Sequence, residues 1–223
     1  MLRAVLFDLD GTLIKTVDAS EILRRILSIH GIEKSISEIT EARIAAEESL
    51  TIEDYEMPYY DFWDSWNMKI LRRLGVKGDL SKLSRRITDL WWEYADVKLY
   101  PDVTEAIKIL RGMNLKLGII TNGFQKDIEI ILSKLRFRHS LDITVGVDSV
   151  KKPKPHKEIF LYAVNRLKIK PEEALYIGDA IEADYFGALR AGLKALLIDR
   201  EGRVQRRDIK KIRSLLEISK YIT

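Results

Sequence analysis

Short apolar runs alternate with stretches of helical periodicity after residue 101, and this alternation restricts the possible fold more than any other feature. The predicted strands cover residues 115–120, 143–147, 174–177 and 195–198. The predicted helices cover residues 103–111, 126–135, 157–167, 183–190 and 208–219. Strands and helices that alternate through short connections predict a parallel sheet with helices on both faces.

The first hundred residues follow a different pattern. Residues 3–9 form one more apolar run, which is typical of a strand buried on both faces. Four amphipathic stretches follow, at residues 20–29, 37–50, 61–74 and 79–94. We therefore expect an α/β fold with a Rossmann-like core of residues 1–15 and 98–223, and an inserted helical cap of residues 16–97. A cap inserted after the first strand would lie over the carboxyl edge of the sheet, where open parallel sheets bind ligands.

Composition excludes several kinds of chemistry. The chain has no cysteine, which excludes a disulfide, a thiolate zinc site and a cysteine nucleophile. No apolar stretch is long enough for a signal peptide or a membrane span, so we expect a cytoplasmic protein with no membrane partner. Residues 200–213 are basic, but no aromatic residue lies among them, so we predict no nucleic-acid partner. The sequence leaves a monomer or a homodimer open.

Polar side chains stand where three of the predicted strands end. They are Asp8 and Asp10, then Thr121 and Asn122, then Asp179 with Asp184. Several carboxylates at one edge of a sheet cannot all stay ionised without a cation, because like charges raise one another's pKa. Mg²⁺ is a hard cation that prefers oxygen ligands, so the pattern predicts a Mg²⁺ site at this edge.

The spacing of the first two aspartates suits chemistry at phosphorus. One carboxylate can attack a phosphorus atom to form an aspartyl phosphate. The other can give a proton to the leaving group and later take one from water. Backbone N–H groups of Gly11 and Thr12 could cradle phosphate oxygens. Asp-x-Asp after a strand is also ordinary turn chemistry, but its combination with the other strand ends favours the catalytic interpretation.

These motifs resemble those of the haloacid dehalogenase-like hydrolase superfamily, in particular its phosphatases with a helical cap after the first motif. FDLDGTL at residues 7–13 resembles the first motif, and IGDAIEAD at 177–184 with GALRAG at 187–192 resembles the fourth. IITNG at 119–123 resembles the second motif, and KPHKEIF at 154–160 resembles the lysine motif. The resemblance implies Mg²⁺-dependent hydrolysis of a small phosphorylated metabolite.

The resemblance also implies a role for each matching aspartate. Asp8 would be the nucleophile and Asp10 the general acid and base. Mg²⁺ would be held by Asp8, the backbone carbonyl of Asp10 and Asp179. Asp184 would support the metal site or the lysine.

The remaining implied roles concern the phosphoryl group. Thr121, with Asn122 as a further candidate, would hydrogen-bond the group in transfer, and a lysine would neutralise the charge on it and on Asp8. Lys154 lies at the right distance from the motifs that follow, although the second proline of the family pattern is missing. Lys152 keeps both prolines at the cost of two extra residues. We predict Lys154.

Other activities occur on the same fold. Dehalogenases that resemble it lack the second aspartate, because halide needs no acid to leave, so Asp10 argues against them. Sugar phosphomutases often carry valine or isoleucine where this chain has Thr12. A non-catalytic binding protein is disfavoured because every expected catalytic position is occupied. Residues 38–64 are strongly acidic and would repel a long polyanion, which favours a small phosphomonoester.

Overall fold

The chain divides into two compact units. The computed structural model describes residues 1–137 and 140–222. The core unit contains Met1–Lys15 and Lys98–Thr223, and the helical unit contains Thr16–Val97. The action of the helical unit as a cap stays a prediction.

Most strands of the core unit belong to one sheet. The strands of the core unit are β1 (Ala4–Phe7), β2 (Ile14–Lys15), β3 (Lys98–Leu99), β4 (Lys116–Ile120), β5 (Ile143–Val145), β6 (Ala174–Gly178), β7 (Lys194–Ile198) and β8 (Lys211–Ile212). Six of them form a parallel sheet in the order β5-β4-β1-β6-β7-β8. The short strands β2 and β3 pair antiparallel, next to the points where the chain leaves and re-enters the core unit. β1 is apolar and buried throughout because it lies inside the sheet, between β4 and β6.

Eight α-helices occur in the part of the chain that the structure describes. They are α1 (Ala19–Ser28), α2 (Ile36–Glu48), α3 (Tyr59–Arg73), α4 (Leu80–Tyr94), α5 (Val103–Gly112), α6 (Gln125–Lys134), α7 (Lys157–Leu167) and α8 (Gly187–Arg190). The parallel sheet with its connecting helices confirms the predicted α/β fold class. Within the residues described, no helix is both long enough and apolar enough to cross a membrane.

The predicted helix at residues 208–219 is wrong. Residues 211–212 form strand β8 instead, which pairs with β7 and extends the sheet. Leu215–Tyr221 then forms a 3₁₀ helix that starts after Ser214. The buried residues here recur every third position, at Ile209, Ile212, Leu215 and Ile218. This spacing is compatible with a helix, but the outer edge of β7 offers unpaired backbone groups that residues 211–212 satisfy as a strand.

The helical unit has its own apolar core. α1 begins at Asp18, whose carboxylate accepts from the backbone N–H of Ser20 at 2.8 Å, and the apolar face of the helix then buries residues such as Ile22 and Ile26. Buried polar side chains also form a cluster inside this unit, between α3 and α4. The side-chain nitrogen of Asn67 donates to the Ser84 carbonyl at 3.3 Å and to the Thr88 hydroxyl at 3.1 Å. We call Asn67, Ser84 and Thr88 the Asn67 cluster.

Candidate active site

Three adjacent strands deliver the predicted site residues to one edge of the sheet. Asp8 directly follows β1, Thr121 follows β4, and Asp179 follows β6. Because the three strands are neighbours and parallel, their carboxyl ends meet there. The backbone N–H of Asp8 donates to the Ile177 carbonyl at 2.8 Å, which fixes the end of β1 against β6.

A buried lysine connects two of the aspartates. Lys154 Nζ lies 2.5 Å from Asp8 Oδ1 and 2.7 Å from Asp184 Oδ1, and all three side chains are buried. Lys152, the alternative from the sequence, is exposed and pairs with Glu158 at 2.7 Å. The structure therefore places Lys154 at the predicted site and Lys152 on the surface.

Opposing effects act on the charge of Lys154. Burial alone would lower the pKa of this ammonium, but the carboxylates of Asp8 and Asp184 outweigh it and raise the pKa above its ordinary value. The shift favours the charged form of Lys154. Its charge faces the predicted nucleophile directly.

Asp184 reaches the site from a π-helical segment, Ile181–Phe186. A π-helical turn shifts the side chains that follow it, and such turns are frequent at functional sites. Asp184 Oδ2 accepts from the backbone N–H of Ala180 at 2.9 Å, which leaves Oδ1 for Lys154. The absence of a side chain at Gly178 leaves room for this carboxylate, because a Cβ there would collide with Asp184.

Three carboxylates stand close enough to share one cation. Ligand atoms of Asp8, Asp179 and Asp184 all lie within 4.8 Å of one another. Burial raises the pKa of Asp8 to about 7, since the added repulsion from Asp184 offsets much of the attraction of Lys154. Burial and the charge of Asp184 raise the pKa of Asp179 to about 6. The protein thus holds carboxylates in a place where their ionised forms repel one another, which is the condition that a bound divalent cation relieves.

The loop after β1 supplies the other predicted groups of the first motif. Asp10 is accessible to solvent, yet surrounding protein atoms desolvate its carboxylate and raise its pKa. Its Oδ1 accepts from the N–H of Gly11 at 3.1 Å. Gly11 has a φ of +75°, and a Cβ there would collide with the Asp179 carboxylate, so both the turn and the site favour glycine. The carboxylate of Asp10 is not one of the clustered three, so its predicted metal contact through the backbone carbonyl stays a prediction.

The remaining predicted residues lie at the same edge but have partners of their own. The hydroxyl of Thr121 is buried and accepts from the N–H of Gly123 at 3.2 Å. The side chain of Asn122 makes two hydrogen bonds to the backbone of Lys154, at 2.6 Å and 3.1 Å. It therefore fixes the lysine loop to the end of β4, and its predicted contact with a phosphoryl group stays a prediction. Thr12 is fully buried.

Sequence reasoning missed Tyr176. Its hydroxyl lies 3.0 Å from Lys154 Nζ, 3.1 Å from Asp184 Oδ1 and 2.9 Å from the Ile120 carbonyl. Within the apolar run of β6 it looks like an ordinary core residue. Its position two residues before Gly178 puts both on the same face of the strand, but this spacing does not show which groups the hydroxyl contacts. We call Asp8, Lys154, Tyr176 and Asp184 the site cluster.

A second missed residue is Arg200, which the sequence grouped with a solvated basic segment. Its guanidinium donates to the Thr12 carbonyl at 2.6 Å and to Asp102 at 3.1 Å, and lies 3.7 Å from the centroid of the Tyr100 ring. Arg200 thereby ties the loop after β1 to the chain that follows β3. Nothing in its local sequence identifies these distant partners.

Comparisons with known proteins identify the family of this chain. A model of the family described as haloacid dehalogenase-like hydrolase matches residues 2–192. The chain belongs to this family. The match includes all the predicted motifs, and it confirms both the resemblance and the prediction of a hydrolase.

Named relatives of this family member are phosphatases. It is 31% identical over 207 residues to a glyceraldehyde 3-phosphate phosphatase of Methanopyrus kandleri, covering 92% of this chain and 87% of the relative. It is 28% identical over 199 residues to a phosphoglycolate phosphatase of Salmonella typhi, covering 80% and 74%. Among solved structures, a HAD phosphatase of Thermococcus onnurineus superposes with a TM-score of 0.71 at 25% identity, covering 99% and 98% of the two chains.

Proposed function

We propose that this protein is a Mg²⁺-dependent phosphatase that hydrolyses small phosphomonoesters through an aspartyl-phosphate intermediate. The observation that carries the proposal is the position of Lys154, buried between Asp8 and Asp184 beside a third carboxylate at the ends of three strands. A buried cation in contact with a carboxylate nucleophile can neutralise the charge that a phosphate brings. Positioning and electrostatics of this kind supply most of the catalysis of phosphoryl transfer.

The first half of the reaction needs a nucleophile and an acid. Asp8 attacks phosphorus with a carboxylate oxygen, the bond from phosphorus to the leaving oxygen breaks, and Asp10 gives its proton to that oxygen. The raised pKa of Asp10 supports this role, because it favours the protonated form that a general acid needs. The Lys154 ammonium offsets the charge that gathers on Asp8 and on the phosphoryl oxygens.

The second half releases phosphate. Water attacks phosphorus, Asp10 takes a proton from it, and the bond between Asp8 and phosphorus breaks to regenerate the carboxylate. The Thr121 hydroxyl is proposed to hold the phosphoryl group in both halves, since it lies at the end of β4, next to the strand that carries Asp8.

The residues present fit Mg²⁺. Asp8, Asp179 and Asp184 offer only hard oxygen ligands, and the pKa values of Asp8 and Asp179 are raised in the cluster that would surround the ion. We propose Asp8, the carbonyl of Asp10 and Asp179 as ligands, with Asp184 in support. Bound Mg²⁺ would supply positive charge that orients the phosphate and stabilises the transition state.

The proposed substrate is a small phosphorylated metabolite. The named activities of the two relatives, toward glyceraldehyde 3-phosphate and phosphoglycolate, support a short carbon chain with one phosphate. The acidic residues of the segment 38–64 also disfavour a long polyanion. We further propose that the helical unit acts as the cap, that the enzyme is cytoplasmic, and that it works as a monomer or homodimer.

A phosphate-release assay tests the proposal. Wild-type protein and the Asp8→Asn and Asp10→Asn variants are given 4-nitrophenyl phosphate, glyceraldehyde 3-phosphate and phosphoglycolate, with Mg²⁺ or with a chelator. We expect Mg²⁺-dependent release by the wild type. The rate should fall on the order of 10⁴-fold or more in the Asp8 variant and about 10²- to 10⁴-fold in the Asp10 variant. Full activity of Asp8→Asn would contradict the mechanism, and isomerisation of a sugar phosphate without phosphate release would indicate a mutase instead.

A further inference from the structure

The hydroxyl of Tyr176 lies at the centre of the buried polar groups. Tyr176 is fully buried in β6, and its ring packs edge-on against Phe160 with centroids 5.0 Å apart. This packing holds the ring and aims the hydroxyl at three groups. They are Lys154 Nζ at 3.0 Å, the Ile120 carbonyl at 2.9 Å and Asp184 Oδ1 at 3.1 Å.

A count of protons shows what the hydroxyl does there. The ammonium of Lys154 has three N–H donors, and three acceptors surround it: Asp8 Oδ1, Asp184 Oδ1 and the Tyr176 oxygen. The single hydroxyl proton of Tyr176 is left for the Ile120 carbonyl or for Asp184. Tyr176 is thus the neutral acceptor that completes the coordination of the lysine.

The hydrogen bond from the Tyr176 hydroxyl to the Ile120 carbonyl crosses β1, the strand that Asp8 follows. Ile120 ends β4, Tyr176 belongs to β6, and β1 with Asp8 lies between these two strands. Lys154 itself comes from a loop, on a side chain with four flexible carbons. A fixed third acceptor limits the positions that its ammonium can take between the two carboxylates.

We propose that Tyr176 is a positioning residue for the phosphatase reaction, holding the Lys154 ammonium against Asp8. The inference rests on the proposed function. Without the hydroxyl, one N–H of the buried ammonium loses its acceptor, and the lysine moves to restore a third hydrogen bond. The charge then stands away from the carboxylate that attacks phosphorus, so the transition state loses stabilisation while substrate binding changes little.

Removal of one oxygen tests this role. Tyr176→Phe should keep KM for 4-nitrophenyl phosphate within about twofold. It should lower kcat about 10- to 100-fold, the usual size for a hydrogen bond to a charged group. The Mg²⁺ concentration for half-maximal rate should stay unchanged. Tyr185→Phe is the matched control, because it removes another buried tyrosine hydroxyl, one that accepts from the backbone N–H of Lys210 at 3.1 Å outside the site cluster.

Each outcome decides the inference. An unchanged kcat in Tyr176→Phe, or a loss equal to that of Tyr185→Phe, would overturn it. A loss that extra Mg²⁺ restores would also overturn it, since the hydroxyl would then act through Asp184 and the metal. If Tyr176→Phe does not fold, replacement of Tyr176 by p-aminophenylalanine keeps the packing with a weaker acceptor. A lower kcat at unchanged KM then supports the inference, and a wild-type kcat overturns it. Absence of Mg²⁺-dependent turnover by the wild type would overturn the proposed function as well.

Discussion

The site cluster and the Asn67 cluster bury polar groups in opposite ways. The Asn67 cluster is neutral, and its hydrogen bonds join two helices that follow each other in sequence, with Asn67 and Thr88 21 positions apart. The site cluster contains an ammonium and two carboxylates, and its closest ion pair joins residues 146 positions apart. Neutral buried groups of this kind hold helices together at little cost. Buried charges are expensive to desolvate, so their concentration at one sheet edge is better explained by chemistry than by stability.

The sharpest test of this contrast compares two lysines. Lys154→Met should lower kcat for 4-nitrophenyl phosphate by about 10²- to 10³-fold or more, because the charge facing the proposed nucleophile is lost. Lys152→Met is the matched control, since this lysine is exposed and pairs with Glu158 on the surface. It should leave kcat nearly unchanged. The reverse result would show that Lys152 is the catalytic lysine.

The second test uses pH in the absence of metal. The pKa of Asp8 is about 7 and that of Asp179 about 6 in the folded protein, against an ordinary value of 3.8 for each. The folded state therefore keeps protons that the unfolded chain has released. The free energy of unfolding in chelator should fall as pH rises from about 4 to about 7, and these two groups should add no further change above that range.

Mg²⁺ should restore the free energy of unfolding that the metal-free protein loses as pH rises. Denaturant unfolding at pH 5 and at pH 7.5, with Mg²⁺ or with chelator, measures the effect, and the gain from Mg²⁺ should be larger at the higher pH. Asp8→Asn removes one of the titrating groups and should flatten the curve in chelator. The pKa of Glu21 is lowered, to about 2, mainly by hydrogen bonds from Arg24 and Arg25, so its contribution is lost below about pH 4.5 and overlaps only the acid end of this range. A metal-free stability that rises between pH 4 and pH 7 would contradict the proposed carboxylate cluster.

The third test addresses the Asn67 cluster. Asn67→Ala should lower the free energy of unfolding by about 1–3 kcal/mol, because the Ser84 carbonyl and the Thr88 hydroxyl lose a buried donor. The effect on kcat should be far smaller than that of Lys154→Met. Asn165→Ala is the control, as this asparagine is exposed on α7 and should cost no stability. A large decrease in kcat without a change in the free energy of unfolding would show that Asn67 contributes to activity rather than to stability.

The smallest effect is expected for a surface ion pair. Glu21 bonds to Arg24 at 2.7 Å and to Arg25 at 2.9 Å on α1, and all three side chains are partly exposed. Glu21→Gln should therefore shift Tm only slightly, and less in high salt, where exposed charges are screened. A shift as large as that of Asn67→Ala would contradict the contrast between buried neutral groups and exposed charged ones.

Much of the fold could be predicted from periodicity, because most elements carry their own pattern. Residues 157–167 show helical spacing and form α7 with those bounds. The end of the chain could not be predicted in this way. Whether residues 211–212 become strand or helix depends on the free edge of β7, which only the assembled sheet provides.

The site residues also fall into those that local sequence predicts and those that depend on distant parts of the chain. Asp8, Asp10 and Asp179 could be found because polar residues at strand ends interrupt an apolar pattern. The structure places them at one edge, although their roles stay predictions. Tyr176 and Arg200 could not be found, because their importance lies in partners from other segments: the loop of Lys154 in one case, the Thr12 carbonyl in the other. A sequence pattern shows a residue type and its spacing, but it does not show which backbone carbonyl a hydroxyl or guanidinium will reach.

The position of β1 in the sheet also bears on how the chain is made. β1 leaves the ribosome well before its two partners in the sheet, Lys116–Ile120 and Ala174–Gly178. The helical unit ends at Val97, so all of its residues are available to pack while the apolar strand β1 still has no neighbour. The ion pair of Lys154 with Asp184 cannot form until residue 184 has emerged. The nascent chain therefore contains Asp8, the proposed nucleophile, long before it contains the residues that form the buried ion pairs around it.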